Sequence, residues 1–448
     1  MLPRPAGHAE YDVEPMIGNT PLAEKETLQD NPLLVRGPYL QQGTDSSIVI
    51  RWATDIPIQG QVWYGTTPNQ LSWVEQETTR TCDHEVELRG LTPDQKYYYA
   101  VGTLAEVQQG GTEDYFFVTA PAKNLPREQV RPLRIWVIGD AGRGNELAAQ
   151  VRDGYLNFTG TRYTDLWLML GDNAYDIGTL DEYQRGVFEM YPQLLRCSVL
   201  WTAIGNHDAG SANSLDETGP YYELFTLPKN AEAGGMASGT AAYYSFDYGN
   251  IHFICLDSYG SDRSPDSAMF TWLQQDLASS DKDWKIAFCH HPPYTKGSHD
   301  SDLEIELIEM REHALPILEE AGVDLVLAGH SHAYERSYLI NGHYGVSSTF
   351  TPEKKKDGGS GRNDESGAYL KRHNTSHSGT VYIVAGTSAL ADYVSPHPAM
   401  HTSLSIPGSL VLDVEGLRLD AKFIDVYGEV KDYFTLKKTI AEEGDKTR

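Results

Sequence analysis

Five short apolar runs, each ending in a residue able to hold a metal ion, constrain this chain more than any other feature. Arg134-Ile135-Trp136-Val137-Ile138 leads into Gly139-Asp140-Ala141-Gly142. Leu166-Trp167-Leu168-Met169-Leu170 leads into Gly171-Asp172-Asn173-Ala174-Tyr175. The run over 199–204 ends in Gly205-Asn206-His207-Asp208, that over 286–289 in His290-His291, and that over 323–328 in Gly329-His330-Ser331-His332. Continuous apolar runs of this length, bounded by glycine and polar residues, predict strands buried on both faces. In open α/β sheets the ligand site lies beyond the carboxyl ends of such strands. One run ending in aspartate carries little information. Five ending in Asp, Asp, Asn, His and His-x-His predict a metal-centred site.

The donor types narrow the chemistry. His330-Ser331-His332 places two imidazoles on one tight loop, from which they can reach different ions. Asp172 and Tyr175 lie three residues apart, so a carboxylate and a phenol converge after one strand. Mixed oxygen and imidazole donors suit iron, zinc or manganese better than calcium, and the lack of thiolates disfavours a structural zinc site. A two-ion centre of this kind suits in-line displacement at phosphorus.

Composition excludes some partners. A formal net charge of -27 argues against a nucleic-acid duplex, whose phosphates call for a basic surface. It leaves room for small phosphate esters, because bound cations invert the local field. No stretch is long and apolar enough for a membrane span, and the start, Met1-Leu2-Pro3-Arg4-Pro5, lacks the apolar run of a signal peptide. Four scattered cysteines, Cys82, Cys197, Cys255 and Cys289, suggest no disulfide framework, and Cys289 reads as a small core residue.

Along the chain, residues 1–32 predict an arm, 33–122 a β-sandwich, 123–132 a linker, 133–434 an α/β catalytic domain and 435–448 a frayed tail. The sandwich rests on short alternating strands near 47–52, 61–64, 84–88, 97–101 and 115–118, separated by turn-rich segments. In the α/β domain, strand–helix alternation predicts mixed sheets flanked by helices. Helices are expected over 145–155, 180–195, 266–279 and 303–321, the last kinked or divided by Pro316. A hairpin is expected over 243–257, a mobile surface loop over 346–378, a strand over 380–385 and closing hairpin strands over 408–427. His373, His377, His397 and His401 read as surface or rim residues.

The five blocks, in order, resemble the signature of the metallophosphoesterases. Tyr175 and the segment His330-Ser331-His332-Ala333-Tyr334-Glu335-Arg336 make the chain look like a purple acid phosphatase. That resemblance implies a four-layer α/β sandwich, preceded by an all-β fibronectin type III-like domain, whose tyrosine-corner segment is resembled by Leu91-Thr92-Pro93 followed by Tyr97 and Tyr99. It implies iron(III) on Asp140, Asp172, Tyr175 and His332, and a divalent iron, zinc or manganese on Asp172, Asn206, His290 and His330. Asp172 would bridge the two ions. It implies hydrolysis of phosphate monoesters by a metal-bound hydroxide, with His207 stabilising the phosphoryl group or donating a proton and Asp208 orienting His207. His299 would be the leaving-group acid, and His291 a further candidate for substrate contact. Tyr334 and Arg336 would support the His330 loop. Two alternatives stand beside this reading: a phosphodiesterase acting on nucleotides or phospholipid headgroups with the same centre, and a non-catalytic binding or adhesion module. Members of the family are usually secreted or periplasmic.

Overall fold

A computed structural model describes residues 31–440. The expected arm up to residue 30, and the tail from 441, lie outside the described residues.

The five apolar runs form strands buried along their whole length: Leu133–Ile138, Leu166–Met169, Val199–Thr202, Trp284–Phe288 and Leu325–Ala328. They belong to two seven-stranded sheets. In the first, Leu133–Ile138, Leu166–Met169 and Val199–Thr202 run parallel, continued by Gly408–Glu415, Arg418–Asp425, Val430–Thr439 and Tyr369–Arg372. In the second, Ile251–Cys255, Trp284–Phe288, Leu325–Ala328 and Val381–Ala385 run parallel, flanked by antiparallel strands.

Side-chain alternation decides the layers. Phe253, Ile286, Phe288, Leu325 and Leu327 point into the core shared by the two sheets. Their neighbours Ile254, Ala287, Cys289, Val326 and Ala328 pack instead with Phe270, Leu273, Leu315 and Leu318 from the covering helices. Trp201 of the first sheet stacks on Phe246 of the second, with ring centroids 3.7 Å apart. On the outer face of the first sheet, Trp136 stacks on Tyr155 of the helix Glu146–Thr159.

That helix starts where the sequence places it, because the Asn145 side chain accepts the Ala148 amide. Ser267 caps Ala268–Ser279 in the same way. Two expected helices are interrupted. The segment 180–195 divides into Leu180–Tyr183, a π-turn over Gln184–Phe188, and Pro192–Leu195, which proline can only begin. Around Pro316 the kink takes the form of a π-turn over Met310–Ala314. The hairpin Tyr244–Tyr248 with Ile251–Cys255 is as expected. None of the four cysteines is paired. No helix among the described residues is long and apolar enough to cross a membrane.

Three expectations are corrected. Residues 346–378 are not loop throughout: Tyr369–Arg372 forms the parallel edge strand beside Val430–Thr439. Tyr369 is buried, and the Lys371 ammonium reaches the buried Asp324 carboxylate at 2.9 Å, a pairing that the polar sequence conceals. The last strand runs to Thr439, past the expected boundary at 435. His397 is buried, and its Nδ1 accepts the Ala399 amide.

Residues 34–118 form a three-stranded and a five-stranded sheet, and Tyr97 accepts the Thr92 amide on its hydroxyl at 3.0 Å. This unit docks against the catalytic sheets. Tyr39 donates to the Leu224 carbonyl, Gln41 to the Leu200 carbonyl, and Tyr99 to the Arg196 carbonyl.

His252 shows how charge is buried in this core. Its Nδ1 and Nε2 each lie 2.8 Å from a carboxylate, Asp247 and Asp276, so both nitrogens carry protons. Burial alone would lower its pKa, but the two carboxylates raise it to about 9. A folded pKa above the unfolded one means that the stabilisation is complete below about pH 6.5 and is lost as pH rises through about 9. Wild-type stability should therefore fall by about 3 kcal/mol across that window relative to His252→Gln, as read from urea unfolding at several pH values. Parallel curves for the two proteins would overturn this.

Candidate metal centre

The sequence-predicted donors converge where the two sheets meet at their carboxyl ends. Asp140, Asp172 and Asn206 come from the first sheet, and His290, His330 and His332 from the second. Chain direction must reverse sharply after each strand, and Asp140, Asp172 and His330 all adopt left-handed backbone, with φ of 55°, 52° and 65°. Non-glycine residues rarely accept that conformation, and where they do it concentrates at functional sites. Glycine precedes each because there is no room for a side chain: a Cβ on Gly171 would stand 2.5 Å from the His290 ring, and one on Gly329 2.5 Å from an Asp140 oxygen.

Distances divide the donors into two groups joined by Asp172. On one side, the Tyr175 hydroxyl lies 2.8 Å from Asp172 Oδ2 and 3.3 Å from Asp140 Oδ1, while His332 Nε2 lies 3.7 Å from Asp140 Oδ1. On the other, Asn206 Oδ1 lies 3.0 Å from both His290 Nε2 and His330 Nδ1, and His290 Nε2 is 3.3 Å from Asp172 Oδ1. Asp172 thus offers one oxygen to each group.

The comparisons with known proteins agree with this geometry. Residues 133–334 match the family model of calcineurin-like phosphoesterases, and residues 37–119 match that of the purple acid phosphatase N-terminal domain. The chain is similar to the purple acid phosphatases in both of its domains. It is 27% identical over 328 residues to probable purple acid phosphatase 20 of Arabidopsis thaliana, covering 69% of this chain and 70% of the relative. Purple acid phosphatase 23 of the same plant is 29% identical over 284 residues, 57% of this chain and 58% of the relative. Phosphoenolpyruvate phosphatase of Allium cepa is 28% identical, over 72% of this chain and 67% of the relative. Among solved structures, the purple acid phosphatase PPD1 of yellow lupin seeds matches with a TM-score of 0.65 at 16% identity, covering 90% of this chain and 74% of that one. PhoD matches with a TM-score of 0.61 at 14% identity, over 91% of each chain. At those identities the structural likeness establishes a shared fold. The relatives and the matched domain support phosphate monoester hydrolysis at a dinuclear metal centre.

In this phosphatase the donor set fits hard, multiply charged cations. Asp140, Asp172 and His290 offer ligand atoms within 4.8 Å of one another, all buried. Burial, followed by the neighbouring Asp172, pushes the Asp140 carboxyl up to about 8, against the pull of His290. Burial opposes ionisation of Asp172 as well, but His290 and His207 hold it below the usual carboxylate range. Burial and both aspartates push the Tyr175 phenol well up. Two carboxylates and a phenol crowded together among neutral-capable imidazoles are suited to metal.

The residues expected to act on substrate are arranged less uniformly. His207 presses its ring against Tyr175, centroids 4.3 Å apart, with Nδ1 2.5 Å from the Asp176 carbonyl oxygen and Nε2 3.9 Å from Asp172. Asp208 does not orient it. That buried carboxylate takes the Asn173 and Gly205 amides and the Tyr183 hydroxyl, bracing the loops that carry Asp172 and Asn206. His291 is buried behind His330, ring centroids 4.2 Å apart, with Nδ1 2.9 Å from the Ser258 hydroxyl. His299 lies over the His330 ring, centroids 3.7 Å apart. Tyr334 and Arg336 stand outside the centre, bonded to the buried Asp432.

Sequence reasoning missed Glu304, Asp392 and Arg143. Glu304 contacts His299 and His330, Asp392 lies 2.9 Å from His332 Nδ1, and the Arg143 guanidinium covers the Tyr175 ring at 4.4 Å. Arg143 follows the Asp140-x-Gly142 block directly, which was a usable signal. Glu304 lies at the start of a segment expected to be helical, whose periodicity marks only its apolar face, and Asp392 sits in a loop with no periodic pattern. Asp172→Ala should reduce bound metal from about two ions to fewer than one per chain by mass spectrometry, with near-ultraviolet dichroism unchanged. Full retention would remove Asp172 from the bridging position.

Proposed function

We propose that this chain hydrolyses phosphate monoesters at a two-ion centre. Asp140, Tyr175 and His332 serve one ion, Asn206, His290 and His330 the other, and Asp172 lies between. The observation that carries this reading is the division of the donors about Asp172, one carboxylate oxygen facing each group. Bound cations would supply Lewis acidity, activating water and screening the phosphoryl oxygens.

The chain's own residues do the rest. The Asp176 carbonyl fixes His207 with Nδ1 protonated, so that Nε2 is presented toward the phosphoryl group. His299, half-exposed at the mouth, is placed to give its proton to the departing alkoxide. Buried His291 backs His330, and we assign it support of that ligand. Asp208 holds the two ligand loops in register. Arg143, stacked on Tyr175, adds positive charge at the entrance of an otherwise acidic protein.

Tyrosinate coordination favours iron(III) on the Tyr175 side and a divalent iron, zinc or manganese on the other. Residues 33–122 are read as a fibronectin III-like module, 123–132 as the linker and 133 onward as the catalytic domain. The three- and five-stranded sheets and the Tyr97 hydroxyl on the Thr92 amide support that division. Small phosphate esters are the proposed partners, and the family resemblance favours a secreted or periplasmic location.

Purified holoprotein should release phosphate from 4-nitrophenyl phosphate faster than it cleaves the matching bis(4-nitrophenyl) diester. Equal or reversed rates would move the reading to a phosphodiesterase. His207→Ala should lower monoester turnover by about 100-fold with metal content intact. The native protein should show a visible charge-transfer band that Tyr175→Phe abolishes, and a colourless native protein holding only zinc or manganese would overturn the iron assignment.

A further inference from the structure

Glu304 contacts two of the site's histidines from outside the ligand cluster. It stands at the start of the helix Ile305–Glu309, partly buried at the rim of the cleft. Its Oε2 lies 2.8 Å from His299 Nδ1 and 3.3 Å from His330 Nε2. Its Oε1 accepts the Asp300 amide at 3.0 Å, so the carboxylate is itself held in place.

Each contact fixes which ring nitrogen does what. His299 commits Nδ1 to Glu304, which leaves Nε2 to face outward with any proton it can give. His330 has Nδ1 3.0 Å from Asn206 Oδ1 and 3.2 Å from His290 Nε2, within the ligand cluster, and only its Nε2 faces Glu304. The two rings that share this carboxylate lie against each other, centroids 3.7 Å apart and tilted by 31°. A carboxylate on the outer nitrogen of a ligating histidine sets its orientation and raises its basicity.

We propose that Glu304 is a positioning residue for both halves of the reaction: it presents His299 Nε2 to the leaving group and His330 Nδ1 to the metal. This rests on the reading of His299 as the leaving-group acid and His330 as a ligand. In the step served, the ester P–O bond breaks and its electron pair goes to the leaving oxygen, which takes the Nε2 proton. His299 is left neutral, with Nδ1–H still on Glu304, while water gives one proton to solvent and supplies the P–OH oxygen; a solvent proton then restores His299.

The test uses holoenzyme carrying Glu304→Gln or His299→Ala. Glu304→Gln should slow an alkyl phosphate such as glycerol 2-phosphate by about 10- to 100-fold. It should slow 4-nitrophenyl phosphate, whose leaving group needs little protonation, only about threefold or less. Without any turnover, it should also release metal to a chromogenic chelator about 10-fold faster. Wild-type release combined with equal losses on both substrates would overturn the proposal. If His299→Ala discriminates between the substrates and Glu304→Gln does not, Glu304 alone loses its role. If His299→Ala fails to discriminate, the acid reading falls, and the positioning of that acid falls with it. A third ion per chain, absent from Glu304→Gln, would make Glu304 a ligand and overturn its role as a positioning residue.

Discussion

Asp140 and Asp172 lie buried within one cluster, and carboxylates removed from water in each other's field resist shared ionisation. Much of the catalytic domain can be understood as the scaffold that keeps them there. Each ends a strand in left-handed backbone, a conformation that persists only where surrounding structure over-determines it. The overdetermination is visible in the bonds. The His330 amide holds Asp140, the His207 amide holds Asp172, and Asp208 ties the Asn173 and Gly205 amides together beneath them. His290 joins the sheets directly, with its Nδ1 2.9 Å from the Leu170 carbonyl oxygen at the end of a first-sheet strand.

The same economy of charge recurs away from the centre. Arg336 and Asp432 are fully buried together, with Tyr334 also on that carboxylate. Lys371 and Lys438 both reach Asp324, just ahead of the strand Leu325–Ala328 that leads to His330. Unpaired charges in such places would be strongly destabilising, so these ties fix how the last strands and the second sheet fit together. In these two clusters the interior cations are paired, whereas Arg143 near the centre has no carboxylate partner among the described residues.

Long-range pairing explains where sequence reasoning failed. The 346–378 segment reads as loop because its polar and glycine residues hide two buried anchors, Tyr369 and Lys371, whose partners are distant in sequence. His397 reads as surface because nothing nearby announces the enclosing aromatic residues, Tyr294 among them. Asp208 looks like a partner for His207 by adjacency, yet its bonds run to Asn173, Gly205 and Tyr183. The divided helices are a different case, since Pro192 and Pro316 mark the breaks in the sequence itself.

The apolar runs and the residues that close them determined a great deal unaided. Strands buried on both faces must sit inside a sheet, so local pattern puts Asp140, Asp172, Tyr175, Asn206, His290, His330 and His332 at or just beyond strand carboxyl ends; that two separate sheets bring those ends together was not in it. What tertiary structure alone decided is how those donors are held. Glu304 on His299 and His330, Asp392 on His332, and Ser258 on His291 are contacts that no local periodicity announces. A hydrogen bond between side chains depends on where two loops meet in space. The sequence of either loop records its own residues and not the approach of the other.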